Sequence, residues 1–359
     1  MSEIIDKLKK LDLESTTGKE ISFLLNRIET FPLFIRTFNE GEIIVRTRPN
    51  NHKHIFDSKK DLIYPPNNTE SFGRANIKGS MSFYGSIIGN DFYSYNNNDK
   101  DLIDAIVPTI VEQSFFKSSH KDSIHKITYG IWEVIQPFSV AVLVQNEKYI
   151  GKNYYIDNMI LDYKEFLKSK DEEERLHAGI VTEYLSNEFS KEVPYGKDHL
   201  YRVSAYYTER VYNLGLFGLI YPSTKMEGSG INIVLKPEIV DNYLELKRAG
   251  ECTIYRKNGI DVSLDRVTSV INSDGSFIFN KEGDGRGHIA CIYRLGAKKY
   301  SELLNFEINK DNNAAIIVEK KLKRMFNIKG KITVDFLQKL LDTTKIEINI
   351  RNRRLINEC

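Results

Sequence analysis

The sequence predicts an α+β fold, and three patterns carry that prediction. Apolar residues recur at helical spacing in several stretches, as at Ile21, Leu24, Leu25 and Ile28. In others they alternate: Ile43, Val45 and Thr47 fall on one face of a strand, and Ile44, Arg46 and Arg48 on the other. Beyond residue 250, short alternating runs are separated by Asn258-Gly259, Asp274-Gly275 and Asp284-Gly285, dipeptides that favour tight hairpins.

Taken in order, residues 3–12 and 19–30 read as helices, with Pro32 stopping the second. They form a helical lead-in, packed on the main domain or free to bind a partner. A strand follows over 42–48, then a polar loop to residue 72. His52-Lys53-His54 in that loop has no third ligand near it in sequence, so a solvated loop is the reading preferred over a metal site. The strand at 80–86 sets Met81 and Phe83 against Ser82, Tyr84 and Ser86, a hydroxyl-bearing face suited to a polar cleft wall. Ile103, Ile106, Val107, Ile110 and Val111 make a helix stripe, with Pro108 expected to kink or break it and Glu112 at its end.

Residues 126–145 read as two strands split by Pro137, with Trp132 in the core. Helices are expected at 158–169, 172–191 and 198–213. The acidic run Asp171-Glu172-Glu173-Glu174 suits the start of the second, where the backbone dipole favours negative charge. Gly218–Pro222 then runs as a buried strand into Ser223, and Ile231–Leu235 as another. Residues 238–248 show a mixed helical pattern. Strands are expected at 252–257, 267–272, 276–280 and 289–295, an amphipathic helix at 315–342 and a strand at 345–350.

A length of 359 residues accommodates one large domain or two ordinary ones. Hydrophobic residues at 41% and charged residues at 28% match a soluble globular protein. The net charge of +2 gives no global electrostatic case for nucleic acid or membrane. Local basic runs at Lys320–Arg324 and Arg351–Arg354 read as solvated faces. Cys252, Cys291 and Cys359 form no Cys-x-x-Cys pair, which argues against a zinc or redox motif and for a reducing compartment. With no signal-peptide pattern and no apolar run of membrane-spanning length, the expected location is the cytoplasm.

Six short pieces in fixed order resemble the RES family, which is named for its Arg, Glu and Ser. They are Val-Arg-Thr-Arg at 45–48, Gly-Arg-Ala-Asn at 73–76, Phe-Tyr-Gly at 83–85, Val-Glu-Gln at 111–113, Gly-Leu-Ile-Tyr-Pro-Ser at 218–223 and Gly-Ile-Asn at 230–232. The likeness runs from about residue 40 to 250, with an insertion over about 114–195, between a helical segment at 1–39 and an unmatched α+β extension at 251–359. Ala75 departs from it, because the family often has a large residue there. The resemblance implies an ADP-ribosyltransferase-like domain, with two small sheets flanking an NAD cleft. It also implies cleavage of NAD+ at the nicotinamide–ribose bond, by hydrolysis or by phosphorolysis, with NAD+ as substrate and no metal.

Under that resemblance, Glu112, Arg46 and Ser223 are the catalytic candidates. A carboxylate stabilises the oxocarbenium-like charge that builds on the ribose. Nicotinamide leaves as a neutral molecule from a cationic substrate, so no general acid is needed. Arg46 and Arg48 would supply forked donors to the pyrophosphate. Ser223 has no histidine near it in sequence and reads as a binding hydroxyl. Tyr84 would stack on nicotinamide or ribose, and Arg74, Asn76 and Asn232 complete the binding set. Restraint of such an activity is expected from an antitoxin or other regulatory protein, from homo-oligomerisation or from conformation. The alternatives are a protein ADP-ribosyltransferase using the same cleft, and a non-catalytic module binding nucleic acid or a protein partner.

Overall fold

The computed structural model describes residues 2–28, 33–50, 56–65, 70–87, 99–112, 122–143, 147–257, 259–268, 270–279, 281–282 and 285–344. Its strands are β1 (Ile35–Phe38), β2 (Ile43–Pro49), β3 (Phe83–Ile87), β4 (Ser123–Val134), β5 (Phe138–Val142), β6 (Gly218–Pro222), β7 (Ile231–Leu235), β8 (Leu244–Arg256), β9 (Ile260–Val267) and β10 (Lys281–Glu282). They form one ten-stranded sheet in the order β1-β5-β6-β7-β3-β2-β4-β8-β9-β10, antiparallel except between β5 and β6. The resemblance implies two small sheets; the described strands form one continuous sheet instead. Within it β2 and β3 register only through Ile44–Ile87 and Val45–Ser86. By contrast β2 pairs with β4 along its whole length, and β3 with β7 over four residues. The sheet thus has a seam at its middle, where two strands meet briefly and part.

Gly85 makes that meeting possible. A Cβ there would lie 2.7 Å from Ile44 Cγ2 and 2.9 Å from the Val45 carbonyl oxygen, closer than side-chain carbons pack.

The described helices of more than one turn are α1 (Ser2–Lys9), α2 (Gly18–Asn26), α3 (Lys59–Leu62), α4 (Asp99–Val111), α5 (Tyr154–Lys168), α6 (Glu172–Phe189), α7 (Arg202–Asn213), α8 (Pro237–Tyr243), α9 (Arg286–Leu295), α10 (Ala297–Asn309) and α11 (Asn313–Met325). Residues 334–344 are also helical. One face of the sheet packs Ile44, Phe83, Trp132, Val140 and Ile233 against α5 and α8. On the opposite face α1, α2, α6 and α7 cover β5, β6 and β7, while α4 covers β2, β4 and β8. The seam lies between those two covers. A third layer, α9 to α11 with 334–344, closes over Ile124 and Tyr255.

Local chemistry explains several boundaries. Thr17 and Asp171 cap α2 and α6 by accepting from Glu20 N–H and Glu174 N–H. Arg210 on α7 donates to the carbonyls of Leu25 and Ile28, so it caps the end of α2 and ties the N-terminal segment into the core. That segment is part of the main domain's packing, with Ile5, Leu8, Ile21 and Leu25 buried. The helix α4 continues through Pro108 without a break.

Several expectations differ from the structure. The helix expected over 315–342 is α11 and a separate helix at 334–344, and the segment 1–39 expected to be helical ends in strand β1. Residues 244–248 are strand, because β8 starts at Leu244 and pairs with β4 throughout. Residues 289–295 lie in helix α9; the buried residues His288, Cys291 and Ile292 follow helical spacing, which the short apolar run concealed. The runs at 267–272 and 276–280 are not strands: β9 ends at Val267, and single bridges join Ile271 to Phe277 and Ser58 to Ser276. The boundary expected near residue 250 falls inside β8, so the C-terminal part adds its strands to the same sheet. His52-Lys53-His54, the strand at 345–350, Arg351–Arg354 and Cys359 lie outside the described residues.

Candidate functional site

A cavity of about 240 Å³ opens at the seam. Arg46 lines it from β2, Tyr84 and Gly85 from β3, Tyr221 from β6 and Asn232 from β7. Thr109 and Glu112 come from α4 and the residue after it, Tyr201 from the 3-10 turn before α7, and Phe72, Gly73, Arg74 and Asn76 from the preceding loop. Six of the eight sequence-nominated residues therefore meet in one place: Arg46, Arg74, Asn76, Tyr84, Glu112 and Asn232.

Strand alternation places Arg46 on the face of Ile44, whereas the cavity lies toward α4, on the face of Val45 and Thr47. Arg46 nonetheless lines the cavity, where β2 and β3 part. Its guanidinium sits over the Phe83 ring, 5.0 Å from the centroid, and Nη1 donates to the Tyr84 carbonyl at 2.6 Å. That carbonyl is free for a side chain because the ladder has already ended. Burial, and second the like charge of Arg48, lower Arg46 from its usual value to about 9, so it stays cationic at neutral pH. Its Nε has no hydrogen-bond partner.

Glu112 is placed by the helix before it. One turn earlier Thr109 donates to Ile106 O at 2.8 Å and meets the Thr47 hydroxyl at 2.7 Å, which pins α4 to β2. Pro108 packs against Gly230, where a Cβ would come within 2.5 Å of the proline ring. Glu112 Oε1 is buried and unpaired. Tyr84 and Tyr221 are both pushed up from the ordinary phenol value, first by burial and, among lesser causes, by the Glu112 carboxylate. Tyr201 is raised by burial first as well, with Glu112 again contributing. All three hydroxyls stay protonated around that carboxylate.

The Gly-Arg-Ala-Asn segment is a closed turn. Gly73 and Asn76 form a bridge. The Tyr84 hydroxyl donates to Asn76 Oδ1 at 2.7 Å and accepts from Ala75 N–H at 3.0 Å. A side chain at residue 73 would lie 2.1 Å from Asn76 Oδ1, so glycine is needed there. Arg74 Nη1 donates to Phe189 O and Lys191 O at 2.6 and 3.0 Å, capping α6, and its guanidinium stands 5.0 Å above the Tyr201 ring. Arg74 thus binds the scaffold while lining the cavity, and the small Ala75 is wholly buried beneath the turn.

Two nominated residues do not line the cavity. Arg48 shares the Arg46 face and is half-buried; burial lowers it and Asp61 opposes that. Ser223 follows β6 two residues after Tyr221, on the same strand face. It is fully buried, its Oγ is unpaired, and Arg74 Nη2 lies 3.4 Å from the hydroxyl of neighbouring Thr224. Phe72, Thr109, Tyr201 and Tyr221 line the cavity without having been nominated. Two were legible: Thr109 precedes Glu112 by three on a helix, and Tyr221 precedes Ser223 by two on a strand. Phe72 and Tyr201 arrive by tertiary packing and carry no local signal.

Among the described residues, no cluster of three or more His, Cys, Asp or Glu could hold a metal ion. No described helix is long and apolar enough to cross a membrane. Comparison with protein-family models and with curated proteins found no match to this chain.

Proposed function

We propose that the protein cleaves the nicotinamide–ribose bond of NAD+ in the seam cavity. The observation that carries this reading is one cavity lined together by a guanidinium, a carboxyl group, an amide and three tyrosines: Arg46, Glu112, Asn232, Tyr84, Tyr201 and Tyr221. A guanidinium, a carboxyl group and tyrosine side chains in one lining suit a ligand carrying phosphate, sugar hydroxyls and a flat cationic ring.

In this reading the C1′–N bond breaks with its electron pair going to nicotinamide, which leaves neutral. Positive charge develops on C1′ and the ring oxygen, facing Glu112. The carboxylate stabilises that charge and accepts from the 2′-hydroxyl. Water then adds to C1′ and releases its proton, giving ADP-ribose. Arg46 binds phosphate oxygen, and Asn232 donates to the sugar.

The test is product analysis after incubation with NAD+. Free nicotinamide and ADP-ribose are expected from the wild type. Glu112→Gln should lower the rate by about 10²–10³, the scale for removing one preorganised electrostatic contact. Label from NAD+ left on protein would select the transferase reading, and no nicotinamide release at any enzyme concentration would reject both.

A further inference from the structure

We infer that Arg202 is a positioning residue for the cavity: it holds Phe72 in the wall by tying it to the N-terminal segment. The kinetic part of this inference rests on the proposed function. It adds to that function a residue that acts on the site only through another.

Helical geometry sets up the link. Arg202, Tyr206 and Arg210 recur every four residues on α7, so they share one face. That face lies along the N-terminal segment. Arg202 Nη1 donates to Leu13 O at 2.8 Å, and Arg210 donates to Leu25 O and Ile28 O. Between them the Tyr206 hydroxyl packs on Gly18, where a Cβ would come within 1.7 Å of its oxygen.

The start of the same face also meets the cavity wall. The Arg202 guanidinium stands 5.5 Å from the centroid of the Phe72 ring, and the Tyr206 ring lies 6.3 Å from it. Asp198, in the 3-10 turn before α7, accepts from Phe72 N–H at 3.0 Å. Phe72 lines the cavity and runs directly into the closed turn that starts at Gly73. Its backbone is thus held by a carboxylate, and its ring by a cation and a phenol. Arg202 touches both sides at once. One nitrogen is bonded to the N-terminal segment while the guanidinium attracts the Phe72 ring, an arrangement suited to a planar, delocalised cation. Arg210 is the natural comparison, because it anchors the same segment from two turns further along α7.

The experiment measures nicotinamide release from NAD+ by the full-length protein, with stability followed by urea denaturation. Arg202→Ala should raise KM about tenfold and leave kcat within about twofold, the signature of lost binding that is not specific to the transition state. At about 1.4 kcal/mol per tenfold, this lies within the scale of a partly desolvated cation–aromatic contact. Phe72→Ala should raise KM by a similar factor. The double variant should be no worse than about twofold beyond the weaker single one, because both changes break the same link. Arg202→Lys keeps the charge and loses the planar fork. It should raise KM about threefold, and it replaces the alanine variant in the cycle if that variant does not fold. Arg210→Ala should lower the urea midpoint and leave KM within about twofold. An unchanged KM in Arg202→Ala, a double variant about 100-fold above wild type, or an equal rise in Arg210→Ala would overturn the inference and leave the proposed function standing. If the wild type releases no nicotinamide, the proposed function fails and amide hydrogen exchange decides the inference. Exchange over residues 72–76 at least tenfold faster in Arg202→Ala than in both wild type and Arg210→Ala upholds it, and any smaller difference overturns it.

Discussion

Tyr84→Phe removes one oxygen atom and leaves the ring that faces the cavity. That oxygen donates to Asn76 Oδ1 at 2.7 Å and accepts from Ala75 N–H at 3.0 Å. Both partners are buried, Ala75 at 0% and Asn76 at 4% exposure, so water cannot readily replace the hydroxyl. A hydrogen bond contributes about 1 kcal/mol net, and a buried group left unpaired costs about 1–3 kcal/mol. The variant should therefore lose about 2–4 kcal/mol of stability. Urea denaturation measures it: the midpoint should fall with the slope unchanged, because the same surface is exposed on unfolding. Tyr184→Phe is the internal control. The Tyr184 hydroxyl is buried with no partner, so its removal should change stability by less than about 0.5 kcal/mol or raise it. Equal losses in the two variants, or a loss below about 0.5 kcal/mol for Tyr84→Phe, would refute the view that this hydroxyl closes the Gly73–Asn76 turn.

Gly85→Ala should cost about 1–3 kcal/mol by overpacking the β2–β3 junction and should weaken substrate binding as the seam is forced apart; unfolding and binding measured together check it, and a wild-type-like variant would contradict the close approach. Thr109→Val should lower nicotinamide release about tenfold by freeing α4 from Thr47, with Thr109→Ser restoring it, as read by kcat and KM. Asp265 governs an acid transition. Burial raises its pKa, but Lys126 and then His288 outweigh burial, and the carboxylate ends well below its ordinary value. A carboxylate lowered in the folded state stabilises the fold above about pH 4, and that contribution disappears as pH falls toward the lowered value. Wild-type urea midpoints should drop on acidification below about pH 4. Asp265→Asn, which leaves Lys126 buried without its 2.6 Å partner, should be about 3–5 kcal/mol less stable at pH 7 and show a shallower acid limb.

The cavity residues were picked out through the family resemblance, and local rules add only that each sits at a constrained place. The Gly73–Asn76 turn announces itself by glycine, and Arg46 by its place in a strand of otherwise alternating character. Glu112 ends a helix whose apolar stripe shows which side is buried. Asn232 lies between apolar neighbours in a strand where a polar side chain must face something. The seam was not legible, because the pairing of β2 with β3 joins residues 41 and 43 positions apart and leaves a gap that no local pattern encodes. The same holds for the length of β8. Its first residues read as helix because burial on β4 fixes the strand while Leu244, Leu246 and Ala249 leave the period ambiguous. The α9 misreading has the opposite cause: a short apolar run fits either period, and only the contacts of His288, Cys291 and Ile292 decide it.

The most direct measurement is the crystal structure of Glu112→Gln, slowed enough to retain substrate, with NAD+ bound. Electron density for the nicotinamide riboside should lie in the seam between Tyr84 and residue 112, with a phosphate oxygen within hydrogen-bonding distance of Arg46. Density for NAD+ at any other place on the molecule, with the seam filled by water, would contradict the account.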